Sequence, residues 1–403
     1  MTRDTIFPAI PELPNPLLFS SGARVRSAPQ WRARRREIHA QIMPIAYGEL
    51  PAAPSCVQCA VLHGSVVNRF SGSRLLSCRV LIDCQHAFML RIFVPPGSGP
   101  FPVLLNGDGC WHYANDEVMA AVVEAGYVFA QFNRVELAPD AGPATGAGMG
   151  PVASRHVSPS STPALATWAW GYHRAIDALF EFDFVDQASI AVVGHSRGGK
   201  AALLVGATDE RIALTSANGS GAGGAGCFRL AGPGAETLAD AVSAFPHWFS
   251  PQLAQFAGRE GALPFDQHFL KALIAPRALL TTEALQDHWA NPAGIWLTHL
   301  AAREVYSFLG VPDLIAVAYR DGGHDRCLAD WRTLLGFSNT VFRGKPRAGI
   351  SQGNPFPDIH ARFGCQCEML DLWAPPTQKS SSTLRLADIL MQHLPVGSTG
   401  TGW

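Results

Sequence analysis

The chain has no run of about 18 uninterrupted apolar residues, the length a membrane-spanning helix requires. Its best stretch, around residues 75–94, is interrupted by Arg79 and Asp83. Neither sign of charge is in excess: 31 Lys and Arg face 32 Asp and Glu, for a net charge of −1. That balance removes the electrostatic case for a nucleic acid or an anionic membrane surface as partner. The opening residues, Met1-Thr2-Arg3-Asp4-Thr5-Ile6-Phe7-Pro8, lack the apolar segment of a signal peptide. The sequence as written is therefore expected to be cytoplasmic, unless an export signal was lost from it. Cys56-Val57-Gln58-Cys59 lacks the second pair that a structural zinc site needs, and Cys365-Gln366-Cys367 has the wrong spacing. No metal and no cofactor is expected, and the odd count of nine cysteines suits reduced thiols. What is present is 403 residues, 47% hydrophobic, enough to bury a substantial core.

Along the chain, residues 1–30 are proline-rich and read as an extended arm, followed by an amphipathic helix from Trp31 to about Ala46. Residues 1–60 are taken as this N-terminal arm and helix. From Val61 to Val94, runs such as Arg79-Val80-Leu81-Ile82 predict antiparallel strands. The pattern then alternates: a strand at 101–105, a helix at 115–125, a strand at 127–132 and a helix at 164–182. Further strand candidates are 188–193, 212–215, 278–282 and 314–319. Strands alternating with helices predict an α/β fold, three layers around a mostly parallel sheet, over residues 61–345. Residues 138–163 read as a long loop beside the site, and 346–403 as a loosely attached C-terminal tail.

The most informative segment is Gly194-His195-Ser196-Arg197-Gly198, which fits the Gly-x-Ser-x-Gly elbow. Ala188-Ser189-Ile190-Ala191-Val192-Val193 before it reads as a buried strand, and Gly199-Lys200-Ala201-Ala202-Leu203-Leu204-Val205 after it as a helix start. A strand, a sharp turn and a helix would expose the Ser196 hydroxyl. The Arg197 N–H would then face an oxygen that becomes negative during acyl transfer. The competing interpretation is an ordinary strand-to-helix turn with a capping serine.

A serine nucleophile of this type needs an acid and then a histidine later in the chain. Asp321-Gly322-Gly323-His324-Asp325 follows a strand and has a glycine hinge, which makes His324 the candidate base. For the acid, Asp287 lies past the end of the strand at 278–282, with Glu283 as its competitor. Asp287 is preferred because triad acids lie on the loop beyond the strand.

Gly194-His195-Ser196-Arg197-Gly198-Gly199-Lys200 resembles the nucleophile signature of the glucuronoyl esterases. The likeness continues through Asn218-Gly219-Ser220-Gly221-Ala222-Gly223-Gly224, Phe245-Pro246-His247-Trp248-Phe249, Leu263-Pro264-Phe265-Asp266, Trp289-Ala290-Asn291-Pro292 and the His324 loop, and spans roughly residues 15–345. The resemblance implies an α/β-hydrolase that cleaves esters between the glucuronate of glucuronoxylan and lignin alcohols. By position, it makes Ser196 the nucleophile, His324 the base and the Arg197 guanidinium an oxyanion partner. It also makes Lys200 a ligand of sugar hydroxyls and places Trp289 at the border of the sugar, with Glu236 near a position used for a sugar hydroxyl. One position departs from the pattern. Many members carry a catalytic Glu where this chain has Gly219, whereas some bacterial members place an Asp after the later strand, as Asp287 is placed here.

Two classes of function follow. The first is a serine carboxylic ester hydrolase acting on a uronate ester, with acetylxylan or another small ester as the alternative substrate. The second is a catalytically silent scaffold that binds carbohydrate.

Overall fold

The computed structural model describes residues 9–111, 113–140, 162–346, 350 and 353–364. The strands are β1 (Glu12–Leu13), β2 (Val57–Val67), β3 (Ser73–Ile82), β4 (His86–Val94), β5 (Phe101–Asn106) and β6 (Val128–Phe132). They continue with β7 (Val185–His195), β8 (Leu214–Asn218), β9 (Ala278–Ala284), β10 (Ile315–Arg320) and β11 (Arg362–Phe363). The helices are α1 (Ala28–Ile42), α2 (Asp116–Glu124), α3 (Ala164–Leu179), α4 (Arg197–Thr208), α5 (Leu238–Ala244), α6 (Gln267–Ala272), α7 (Pro292–Phe308) and α8 (Leu328–Arg343).

Nine strands form one sheet in the order β10-β9-β8-β7-β5-β6-β4-β3-β2. The six from β10 to β6 run parallel, while β4, β3 and β2 are antiparallel. Parallel strands are covered on both faces, and their sequences show it. In β7, Ile190 and Val192 join a core with α3 and α4, whereas Ala191 and Val193 point to the opposite core with α2 and α8. In β5, Val103 and Leu105 join the first core and Leu104 the second. The period of two thus places every residue of a continuous apolar run in one core or the other, worth about 1.5–3 kcal/mol per large side chain. The result is the three-layer α/β-hydrolase arrangement. No helix among the described residues is long and apolar enough to cross a membrane.

Some boundaries differ from those drawn from sequence. Strand β2 begins at Val57, so a boundary at residue 60 falls within it. Trp31, Ile38 and Ile42 of α1 are buried in the same core as the sheet, so the helix is part of the domain and not an arm beside it. Helix α1 ends at Ile42 and a single wider turn, Met43–Tyr47, follows, because Pro44 cannot donate to the α-helical ladder. At the other end, Phe356 and Ile359 are buried against Leu13, and β11 pairs with β1. This part of the C-terminal segment is packed, not loose. Residues 365–403 and most of the loop at 138–163 lie outside the described residues.

Candidate active site

Five loops at the carboxyl ends of the parallel strands converge. Strand β5 leads to Asp108, β7 to Ser196, β8 to Gly219, β9 to Asp287 and β10 to His324. Ser196 sits between β7 and α4 with φ 55° and ψ −122°, a conformation rare for a residue with a side chain. The glycines around it are required by close packing. A Cβ at position 194 would collide with the carbonyl of Gly198, and one at position 198 with the Asp108 carboxylate. Asp108 also accepts from the His195 N–H at 2.7 Å and pairs with Arg134, which pins the elbow from below.

The His324 Nε2 lies 2.9 Å from the Ser196 Oγ, and its Nδ1 lies 2.7 Å from the Asp287 Oδ2. A carboxylate accepts only, so Nδ1 carries the proton and the Nε2 lone pair faces the serine hydroxyl. Both loops that supply this pair are fastened. Leu285 N–H donates to the Arg320 carbonyl at 2.8 Å, and Gln286 N–H to the Gly322 carbonyl at 3.2 Å. Arg320 holds Asp330 with both carboxylate oxygens at 3.0 Å, and also reaches the Asp325 carbonyl. The histidine is half-exposed, open to a substrate, whereas Asp287 is buried.

Glu283, the competing acid, is placed elsewhere. It is buried within β9, and neither carboxylate oxygen has a hydrogen-bond partner among the described residues. Burial pushes its carboxyl well above the usual range, with Lys271 opposing and Asp287 adding to the shift. Its side chain does not meet His324.

His195 stands beside the relay, its ring centroid 4.8 Å from that of His324. Burial first, then the neighbouring His324 and Arg326, pushes its imidazole down to about 3, so it stays neutral. Its Nδ1 meets the Asn218 Oδ1, and the Asn218 amide donates to the Thr282 carbonyl at 2.7 Å and its hydroxyl at 2.9 Å.

The first turn of α4 carries two cations. Arg197 Nη1 donates to Asp140 Oδ2 at 2.8 Å, and its guanidinium lies 5.0 Å from the Trp248 ring centroid, with Trp111 and Phe245 alongside. Lys200 Nζ donates to Glu236 Oε2 at 2.9 Å and to the Ala222 carbonyl. Both members of this second pair are buried. Glu236 N–H donates to the Trp289 carbonyl at 2.9 Å, which joins the pair to Trp289, an indole 50% exposed. Lys200, Glu236 and Trp289 therefore form one wall. Of the anchoring residues, Asp140 was not singled out from the sequence, and Asn218 was named only as part of a matching block, with no role. Asp140 contacts residues 57 and 108 positions away, and no local pattern announces that.

A sequence model of fungal glucuronyl esterases matches residues 83–310. The 4-O-methyl-glucuronoyl methylesterase of Podospora anserina is 31% identical over 329 residues, which cover 79% of this chain. The chain spans 65% of that relative's own length. A carbohydrate esterase family 15 glucuronoyl esterase from Caldicellulosiruptor kristjansonii is 30% identical with a TM-score of 0.71, covering 88% of this chain and 98% of that one. A serine-to-alanine variant of glucuronoyl esterase from Sporotrichum thermophile, in complex with methyl 4-O-methyl-β-D-glucopyranuronate, gives 26% identity and a TM-score of 0.69. That match covers 87% of this chain and 94% of the other.

The relatives overturn the cytoplasmic expectation, because fungal and bacterial glucuronoyl esterases are secreted, extracellular enzymes. That expectation rested on the N-terminal residues and on the odd count of nine cysteines, neither of which fixes a compartment. On the family match and the shared fold, the chain belongs to the glucuronoyl esterases, a family of carbohydrate esterases within the carboxylic ester hydrolases.

Proposed function

We propose that this chain hydrolyses a glucuronate ester through an acyl-enzyme on Ser196. The observation that carries the reading is the continuous relay from Ser196 Oγ through His324 to Asp287, at 2.9 and 2.7 Å. In the first half-reaction the Ser196 oxygen attacks the ester carbonyl while His324 Nε2 takes its proton. Asp287 keeps the other nitrogen protonated and stabilises the imidazolium that forms. The negative oxygen of the tetrahedral intermediate is met by the Arg197 N–H, one of the unpaired donors at the start of α4, and by the Arg197 guanidinium. His324 then returns the proton to the departing alcohol. Water, deprotonated by the same nitrogen, releases the uronic acid.

The wall of Lys200, Glu236 and Trp289 suits a sugar: charged hydrogen-bonding groups for hydroxyls and an indole face for the ring. The test is turnover of methyl or benzyl glucuronate beside acetylated xylan and p-nitrophenyl acetate, for the parent chain and Ser196→Ala. Uronate esters are expected to be preferred, and Ser196→Ala to lose activity by several powers of ten. A clear preference for acetyl esters would overturn the substrate and leave the relay standing. A folded parent with no turnover and no labelling by a fluorophosphonate would return the chain to the scaffold class.

A further inference from the structure

We propose that Asp140 is a positioning residue, one that aims the Arg197 guanidinium at the ester oxygen. The inference rests on the reading of Arg197 as an oxyanion partner and goes beyond it, to what holds that side chain in place. An arginine at the start of a helix has a long, flexible stem, and a donor helps a transition state only if it is already oriented. Around Arg197 the orientation is built in.

Asp140 is 7% exposed in its side chain, against 29% for Arg197. One carboxylate oxygen takes Arg197 Nη1 at 2.8 Å. The other takes the Trp248 indole N–H at 2.8 Å, with His247 Nε2 at 3.4 Å. Trp248 is the ring over which the guanidinium lies, and Phe245 stacks on Trp248 at 3.8 Å with the planes 4° apart. The carboxylate thus fixes both the cation and the surface against which that cation rests. The rings of Trp111, Phe245 and Trp248 flank the guanidinium, and the Asp140 bond limits its rotation. Among the described residues Asp140 is its hydrogen-bond acceptor. A guanidinium has five N–H groups in a fixed fork, so the others remain for an incoming oxygen. Burial works against the Asp140 charge, but the bonds from His247 and Arg197 outweigh it and hold the carboxyl well below the usual range.

A carboxylate that only tethered its loop would give a different kinetic signature. The test is a double-mutant cycle on the full chain with benzyl glucuronate, using Asp140→Asn, Arg197→Ala and the pair. Asp140→Asn keeps an acceptor for Trp248 but loses the charge that holds Arg197. Its kcat is expected to fall about tenfold to a hundredfold with KM within about twofold. In the Arg197→Ala background the same change should cost less than about twofold. Asp140→Glu should recover part of the loss, and it supplies the same cycle should Asp140→Asn fail to fold. Equal losses in the two backgrounds, or a parent-like kcat for Asp140→Asn, would overturn the inference. Ser196→Ala separates the two levels. Activity surviving that change breaks the nucleophile reading itself, whereas its loss beside a parent-like Asp140→Asn breaks only the positioning role.

Discussion

Asp287 and Glu283 are four residues apart, at and just beyond the end of one strand, and their environments are opposite. Asp287 accepts from His324 and from the Ala290 N–H, on a loop tied to its neighbour. Glu283 is enclosed, without a hydrogen-bond partner among the described residues, and its carboxyl is pushed far up by burial. Similar treatment extends through the interior, where burial pushes Lys271 down to about 7 and His173 and His268 down to about 4. At the rim of the sheet, Asp287 and His324 keep hydrogen-bond partners, and His324 remains half-exposed. Below the rim, burial holds Glu283, Lys271, His173 and His268 toward their uncharged forms. Proximity in sequence says little about which regime a group enters. The direction of the strand end decides it.

The largest test of this contrast is Asp287→Asn. Loss of the carboxylate leaves the imidazole poorly oriented and its cation unstabilised, so kcat is expected to fall by about two to four powers of ten. KM should change far less, because the carboxylate acts on the transition state. Steady-state kinetics on a variant with an unchanged circular dichroism spectrum checks it.

The interior side of the contrast is tested by acid. His173, His268 and His195 titrate near 4, 4 and 3 in the folded chain, against about 6.5 unfolded. Between those limits the unfolded state binds more protons, so their contribution to stability is full above about pH 6.5 and is lost as pH falls toward 4. The thermal midpoint should drop across that window by an amount equivalent to a few kcal/mol. His268→Gln, which keeps a donor for the Pro14 carbonyl at 2.8 Å, should make the drop shallower. An unchanged slope would show that His268 is not held neutral.

A smaller effect sharpens the comparison at the rim. A Cβ at Gly219 would lie 3.4 Å from Asp287 Oδ2 and 3.5 Å from His324 Cε1. Glutamate at that position points at the same imidazole, although φ is +53° and a side chain there costs about 1 kcal/mol. Gly219→Glu in the Asp287→Asn background is expected to restore kcat by about tenfold. No gain from a folded double variant would mean the two positions do not converge on one nitrogen. The smallest effect belongs to Glu283→Gln. Its kcat should stay within about threefold of the parent, and a fall as large as that of Asp287→Asn would exchange the two roles.

Much of this was legible in the sequence. The elbow is local, a strand, two glycines and a helix within about 20 residues, and the alternating runs that feed two cores appear as unbroken apolar strands. His324 was recoverable from chain order and its glycine hinge. The bonds that align the site were not legible, since Asp140 meets Arg197 and Trp248 across 57 and 108 residues. The burial of Phe356 and Ile359 was hidden for the same reason: their partner Leu13 lies at the other end of the chain.

Helix α4 begins with Ser196 at its cap, Arg197 in its first position and Lys200 three residues later, with Trp248 in reach of both cations. On the proposed mechanism, nucleophile, oxyanion donor and sugar ligand therefore ride on a single part. A displacement of that helix by a fraction of an ångström shifts attack, charge stabilisation and substrate seating in one motion. Tuning such an enzyme by remote substitutions behind α4 should move affinity and turnover together.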